Sequence, residues 1–123
     1  MILGFDEERP LFLQVAELLE EAIFSGAYPE ESQVPSITEL SVSCKINPAT
    51  ALKGVNLLVD QGLLYKKRGL GMFVASGAKD RLSAERKRKF FAGYIEPLLQ
   101  EASKLGLSRE DVTEMIQKGA ILQ

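Results

Sequence analysis

The stretch VPSITELSVSCKINPATALKGVNLLVDQG, residues 34–62, contains two helix-start signals in close succession. Ser36 and Glu39 have the spacing of a capping box, in which the serine hydroxyl accepts from a free amide of the first turn and the glutamate reaches back to the cap. Further on, Asn47 is a favoured cap and Pro48 suits the first helical position. We therefore predict a short helix over about 37–43 and another from 48 to about 61. Two helices separated by about four residues have the spacing of a helix-turn-helix.

The sequence on either side of this stretch completes a winged domain. Upstream, apolar residues recur at helical spacing after Pro10 and predict an amphipathic helix over about 10–25, which Gly26 ends. Downstream, the β-prone runs LLYKK and MFVAS lie on either side of RGLG, residues 68–71, whose glycines permit a tight hairpin turn. We predict a mainly α fold with a small β-wing, in which residues 1–76 form a winged helix-turn-helix DNA-binding domain.

Residues 77–123 form a second, more helical and more basic segment. Pro97 lies inside a long apolar stripe at helical spacing and should kink or divide that helix. Gly106 should end it, and a last helix should follow over about 109–118 and close at Gly119. Two short amphipathic helices cannot bury such a stripe against themselves, so we predict a homodimer packed about a twofold axis. The expected dimerisation residues are Leu82, Phe90, Phe91, Tyr94, Ile95, Leu98, Leu99, Val112, Met115 and Ile116.

The composition argues against several kinds of functional site. The chain has no histidine and a single cysteine, so the ligands of a zinc site and the commonest general base near neutral pH are missing. An enzyme that works with carboxylates alone stays a distant alternative, but no pocket is marked for one. We predict no enzyme, no metal and no cofactor. Apolar runs too short to span a membrane, and an acidic start unlike a signal peptide, favour a cytoplasmic protein with no membrane partner.

The charge distribution permits a contact with DNA despite a net charge of -2. Acidic residues concentrate in the first predicted helix and the loop that follows it. Within residues 40–75, in contrast, five basic side chains face one acid, Asp60. The five are Lys45, Lys53, Lys66, Lys67 and Arg68. A locally positive face of this kind is what DNA phosphates attract.

Helix-turn-helix geometry selects the candidate contacts with double-stranded DNA. The start of the second helix of the motif meets base edges, which selects Asn47, Pro48, Ala49, Thr50 and Lys53. The amino end of the preceding helix, at Ser36, favours a phosphate because free amides point there. In the wing, we expect Arg68 and Gly69 to enter the minor groove while Lys66 and Lys67 follow the DNA backbone. The alternative is that these polar residues only cap the helices and solvate the surface.

The chain resembles the GntR family of bacterial regulators, and its short C-terminal segment resembles the YtrA-like subfamily. The motifs that carry the resemblance follow one another in the same order along most of the chain. They are PLFLQV at 10–15, SGAYPEESQVPS at 25–36, INPAT at 46–50, GLGMFV at 69–74 and IEPLLQEASKLGLSRED at 95–111. The resemblance implies a winged-helix domain, a homodimer, and repression of an operon that in this subfamily often encodes an ABC transporter.

Three residues depart from the family pattern. Thr38 stands where the family has an arginine that generally contacts DNA, and a hydroxyl cannot reproduce the arginine fork, although we keep Thr38 among the candidate contacts. Leu52 replaces a polar or basic residue and contacts either a thymine methyl group or the wing. Cys44 occupies a buried aliphatic position, so we interpret it as core filler rather than a redox sensor. The changes at 38 and 52 leave open a protein-interaction module with weakened DNA binding, and the sequence identifies no effector.

Overall fold

A computed structural model describes residues 5–122 of the chain, and the side chains of residues 5–119. Its elements are α1 (Leu11–Ser25), α2 (Ile37–Cys44), α3 (Pro48–Asp60), β1 (Leu64–Lys67), β2 (Gly71–Val74), α4 (Ala78–Phe90), a π-helical turn (Phe91–Ile95), α5 (Glu96–Lys104) and α6 (Arg109–Leu122). They divide into two compact units, and the division falls between Ala84 and Glu85. The predicted domain boundary lies earlier, after residue 76.

Both predicted helix starts are present in the first unit. The Ser36 hydroxyl accepts from the Glu39 amide at 3.0 Å, and the Ser36 amide donates to the Glu39 carboxylate at 3.0 Å. Asn47 caps α3, because its side-chain oxygen accepts from the Ala49 amide at 2.8 Å. Between the two helices, Lys45 ends α2 in the left-handed conformation, with φ 55°. The chain therefore turns sharply and enters α3, as a helix-turn-helix requires.

The core of the first unit lies between α1, α3 and the wing. It is apolar, and its fully buried side chains include Val15, Leu19, Ile23, Val55, Leu58, Leu64 and Val74. The axes of α1 and α3 approach closely at Gly54. A Cβ placed there would lie 2.8 Å from the Phe12 carbonyl oxygen and 3.0 Å from the Val15 side chain. Glycine thus lets α3 pack directly on the backbone of α1. Cys44 is buried with this core, and burial raises the pKa of its thiol.

The wing is an antiparallel hairpin in which Leu64 pairs with Val74 and Lys67 with Gly71. The segment between α1 and α2 extends this small sheet, because backbone bonds join Glu31 to Val74 and Val34 to Met72. The Gln33 side-chain amide also donates to the Leu70 carbonyl in the hairpin turn at 2.6 Å. Gly71 adopts φ 119°, which favours glycine, and a Cβ there would lie 2.7 Å from that amide nitrogen and displace it. The turn is therefore held by a residue outside the hairpin.

The first turns of α4 belong to the core of the first unit. Ala78 and Leu82 are both buried there, Arg81 donates to the Gly62 carbonyl at 2.6 Å, and the Glu30 carboxylate accepts from the Gly77 amide at 2.8 Å. This corrects the prediction that Leu82 belongs to a dimer interface. Leu82 continues the apolar stripe in sequence, but the core of the first unit already buries it.

The second unit consists of consecutive helices with an irregular turn between them. The predicted interruption at Pro97 is present, since a π-helical turn separates α4 from α5 and Pro97 lies in the first turn of α5. The proline ring crowds the carbonyl four residues earlier, at Gly93, and provides no amide to bond it. Ser108 and Asp111 cap α6 reciprocally, at 3.0 and 2.9 Å. The prediction that Gly119 closes α6 is wrong, because the helix continues to Leu122.

The fold class is confirmed as mainly α with a two-stranded antiparallel wing. Among the described residues, no helix combines the length and apolar character that a membrane crossing needs.

Candidate nucleic-acid interface

The outward face of α3 is formed largely by the residues predicted from its start. Pro48, Ala49 and Lys53 are exposed and Thr50 is half-buried. Asn47 is exposed as well, but its side-chain oxygen is occupied by the Ala49 amide. Ala49 and Lys53 are four positions apart and so lie on one side of the helix. The start of α3 thus presents a continuous and mostly uncharged surface to solvent.

Lys53 is held against α1. Its ammonium group lies 3.9 Å from the centroid of the Phe12 ring, within the range of a cation–π interaction. The positive charge of Lys53 therefore lies at the edge of the exposed face of α3 that is next to α1. A contact between Lys53 and a DNA phosphate would have to use the side of the ammonium group that faces away from the ring.

The amino end of α2 already contains a negative charge. The Glu39 carboxylate accepts from the Ser36 amide, and this hydrogen bond lowers the pKa of Glu39. The amide that we expected to favour a DNA phosphate therefore has a partner. The Ser36 hydroxyl accepts from the Glu39 amide but still has its own proton to donate. Thr38, in the first turn of α2 and exposed, lies beside this end of the helix.

The wing presents its positive charge at the turn. Lys66, Arg68 and Gly69 are exposed, and Gly69 adopts φ 76°. Lys67 differs, because its ammonium lies 4.3 Å from the centroid of the Phe73 ring. Lys66 and Arg68 thus carry the freely presented charge of the hairpin, and Lys67 lies along its aromatic side.

A hydrogen bond fixes the base of this hairpin. The Tyr65 hydroxyl donates to the Glu31 carboxylate, and this bond raises the pKa of Tyr65. Because Glu31 precedes α2 and Tyr65 lies in β1, the contact ties the hairpin to the segment that leads into the helix-turn-helix.

An open groove of about 420 Å³ separates α3 from the wing. Leu52 and Asn56 line it from α3, while Lys66 and Leu70 line it from the hairpin. Sequence reasoning missed Asn56 and Gln33. Asn56 is seven positions after Ala49, and that helical spacing was the signal that would have found it. Gln33 acts on the wing across 37 residues of sequence, and no local pattern predicts such a contact.

The apolar faces of the second unit remain open. Across residues 85–119, Ala102 is the one buried side chain, whereas Phe90, Phe91, Tyr94, Leu98, Met115 and Ile116 are exposed. Ile95, Leu99 and Val112 are half-buried. Between α5 and α6, Leu98, Val112 and Met115 line an apolar groove of about 330 Å³. Nine of the ten predicted dimerisation residues thus lie in this unit, each with some exposed surface.

The chain is similar to known bacterial regulators along most of its length. The family model described as "Bacterial regulatory proteins, gntR family" matches residues 11–74, from α1 to the end of β2. The chain is 26% identical over 113 residues to the HTH-type transcriptional regulator YhcF of Bacillus subtilis (strain 168), and the match covers 92% of each chain. It is also 26% identical over 109 residues to the HTH-type transcriptional repressor YtrA of the same organism, covering 89% of this chain and 83% of YtrA.

Solved structures agree with the sequence relatives. A GntR-family transcriptional regulator from Bacteroides thetaiotaomicron superimposes with a TM-score of 0.75 at 32% identity, covering 92% of this chain and 98% of that one. The DNA-binding domain of AraR, solved in complex with operator ORX1, superimposes with a TM-score of 0.53 at 33% identity, covering 58% of this chain and 88% of that chain. The first unit of the molecule therefore has the fold of a domain that has been solved on operator DNA.

Proposed function

The chain belongs to the gntR family of bacterial regulatory proteins, and on that basis we propose that it is a transcriptional repressor that binds an inverted-repeat operator as a homodimer. The observation that carries the proposal is the exposed start of α3 beside a hairpin whose turn presents Lys66 and Arg68. A capped helix with a free outer face fits the major groove, and a basic hairpin fits the adjacent backbone or minor groove. Such a regulator works where the DNA is, so we place it in the cytoplasm.

The residue roles follow from this placement. Ala49 and Thr50 lie where base edges are read, while Arg68 and Gly69 enter the minor groove and Lys66 follows the phosphates. Lys53 and Lys67 are held beside aromatic rings, so we assign them a secondary role in phosphate contacts. Thr38 and the Ser36 hydroxyl supply neutral hydrogen bonds to phosphate at the amino end of α2. Most of the affinity would come from phosphate neutralisation and would fall steeply with salt.

The homodimer follows from the shortage of core in the second unit. One buried side chain across residues 85–119 cannot offset the conformational entropy of ordering two helices. Exposed aromatic and aliphatic side chains on the π-helical turn, α5 and α6 therefore need a partner surface, and an identical copy provides one about a twofold axis. The same symmetry would direct two copies of α3 to successive major grooves, about 34–36 Å apart.

We also propose that the repressor controls a transporter operon, because the chain resembles the YtrA-like subfamily. YtrA itself is named a transcriptional repressor, which supports repression as the direction of control. A protein-interaction module without DNA binding is the alternative, and the exposed charge of Lys66 and Arg68 counts against it.

Two measurements on the full chain test the proposal. Duplexes from the promoter region of its own gene should shift in a gel at low salt, and the shift should weaken steeply as salt rises. Sedimentation equilibrium at micromolar concentration should give twice the mass of the 13.6 kDa chain. The absence of any shift at low salt would count against DNA binding, and a monomer mass would count against the dimer.

A further inference from the structure

The helix-turn-helix has no guanidinium group. The sequence of α2, the turn and α3, residues 37–60, contains no arginine and two lysines, Lys45 and Lys53. Lys53 lies over the Phe12 ring on the α1 side, and Lys45 lies at the carboxyl end of α2. Guanine is most often read by a long cation that bonds two acceptors in the major groove. This helix-turn-helix is therefore poorly equipped to select G·C pairs.

The outward face of α3 has two exposed apolar side chains instead. Ala49 and Leu52 are three positions apart on α3, and both are exposed, Leu52 at 47%. Leu52 lines the open groove beside α3 together with Ile37, Val59 and Met72. Those three side chains also pack against the core, whereas Leu52 is not among the residues packed there. Leu52 therefore belongs to an apolar groove lining but is not held by the core, and nearly half of its surface is open to a partner.

We propose that Leu52, with Ala49 one turn earlier, contacts the C5-methyl group of thymine in the major groove and makes thymine the preferred base at that position of each half-site. This inference rests on the proposed binding of an inverted repeat. The thymine methyl group is the largest apolar group that a base pair shows in the major groove, and apolar side chains are its usual partners. A side chain with no hydrogen-bonding group discriminates by this contact alone.

The size of the effect follows from the area of one methyl group. Burying a methyl against an aliphatic side chain changes a binding constant by about fourfold. A twofold dimer makes the contact twice, so removing both methyl groups should weaken binding by about fifteenfold. Such a change is easily measured, and it leaves every hydrogen bond between protein and DNA in place.

The experiment combines selection with atomic substitution. Duplexes selected from a random pool by the full chain give the half-site, which should contain a thymine opposite the start of α3. That site is then synthesised with deoxyuridine in place of thymidine, one position at a time in both half-sites, which removes only the methyl group. Binding constants are measured for the wild-type chain, Leu52→Ala, Leu52→Met and the control Leu11→Ala. Leu11 is also an exposed leucine, at 41%, but lies at the start of α1.

The inference predicts one position at which deoxyuridine weakens wild-type binding by about fifteenfold and weakens Leu52→Ala binding by less than about threefold. Leu52→Met should keep most of the discrimination, and Leu11→Ala should keep all of it. Deoxyuridine effects that are equal in wild type and Leu52→Ala would overturn the inference, as would selected half-sites without thymine at that position. If the wild-type chain selects no duplex, the proposed function fails before the inference is reached.

Discussion

Replacing Gly54 by alanine tests whether the close approach of α1 and α3 determines the stability of the first unit. The added Cβ would lie 2.8 Å from the Phe12 carbonyl oxygen and 3.0 Å from both the Cβ and the Cγ1 of Val15. A backbone oxygen and a Cβ cannot rotate away, so α3 has to move off α1. Because Val15 is fully buried, any such movement disturbs the centre of the core.

Two opposing effects decide the sign of the change. Alanine is favoured over glycine inside a helix by about 1 kcal/mol. Overpacking a well-filled core costs about 1–3 kcal/mol, and contact with backbone places this site in the upper part of that range. We expect the free energy of unfolding to fall by about 1–2 kcal/mol, which corresponds to a decrease in melting temperature of roughly 5–12 °C.

Thermal unfolding followed by circular dichroism measures this decrease, with all proteins at one concentration because the melting temperature of the proposed dimer would depend on it. Asn56→Ala is the matched control, since it also places alanine in α3 but at an exposed position. It should be at least as stable as wild type. A Gly54→Ala protein that melts at or above the wild-type temperature would show that helix propensity outweighs the close approach and that our account of the core is mistaken.

Three further outcomes are expected. Arg68→Ala should weaken binding to every duplex and reduce the slope of log affinity against log salt, because it removes a positive charge that the proposed minor-groove position places between the phosphates of the two strands. Thr50→Ala should instead change which bases are selected. If the two variants behave alike, the division of roles is incorrect. Phe91→Asp should raise the dissociation constant of the proposed dimer at least a hundredfold, because a carboxylate would replace an aromatic ring that the interface buries in both copies. A dissociation constant equal to that of the wild-type chain would exclude Phe91 from the interface. The pKa of Glu39 is lowered in the folded protein, so its carboxylate stabilises the fold above its ordinary pKa of 4.5, and this contribution disappears as the pH falls through the lower folded value. The melting temperatures of wild type and Glu39→Gln should therefore differ near neutral pH and converge in acid. A constant difference across that range would contradict the capping-box account.

Local sequence signals predicted the helix-turn-helix well. The capping box at Ser36 and the Asn47-Pro48 start are chemical features of a few adjacent residues, and both occur in the structure as expected. The hairpin followed from β-prone runs around glycines for the same reason. In each case the hydrogen bonds that define the element join residues close in sequence, so the residue types of a short segment are enough to predict it.

Features that depend on tertiary packing were not predictable in this way. Leu82 has the periodicity of the C-terminal stripe, yet it packs in the first unit because α4 starts against that core. Lys53 looks like a surface lysine until α1 brings Phe12 beside it. Gly119 is compatible with either a helix or a helix end, and the chain continues α6 through it. The residues adjacent in sequence do not determine where Leu82 packs, which ring Lys53 contacts or whether α6 continues through Gly119.

The Gln33 amide bond to the Leu70 carbonyl has a consequence for the entropy of binding. Fixing the backbone of one residue opposes association by about 1–2 kcal/mol, and a mobile loop would bear that loss when it meets DNA. Because this bond and the backbone pairing of residues 31–34 hold the turn already, the loss occurs during folding, and the wing arrives in a preorganised shape. A chain with a shorter side chain at position 33 would make the same contacts with DNA but bind it more weakly.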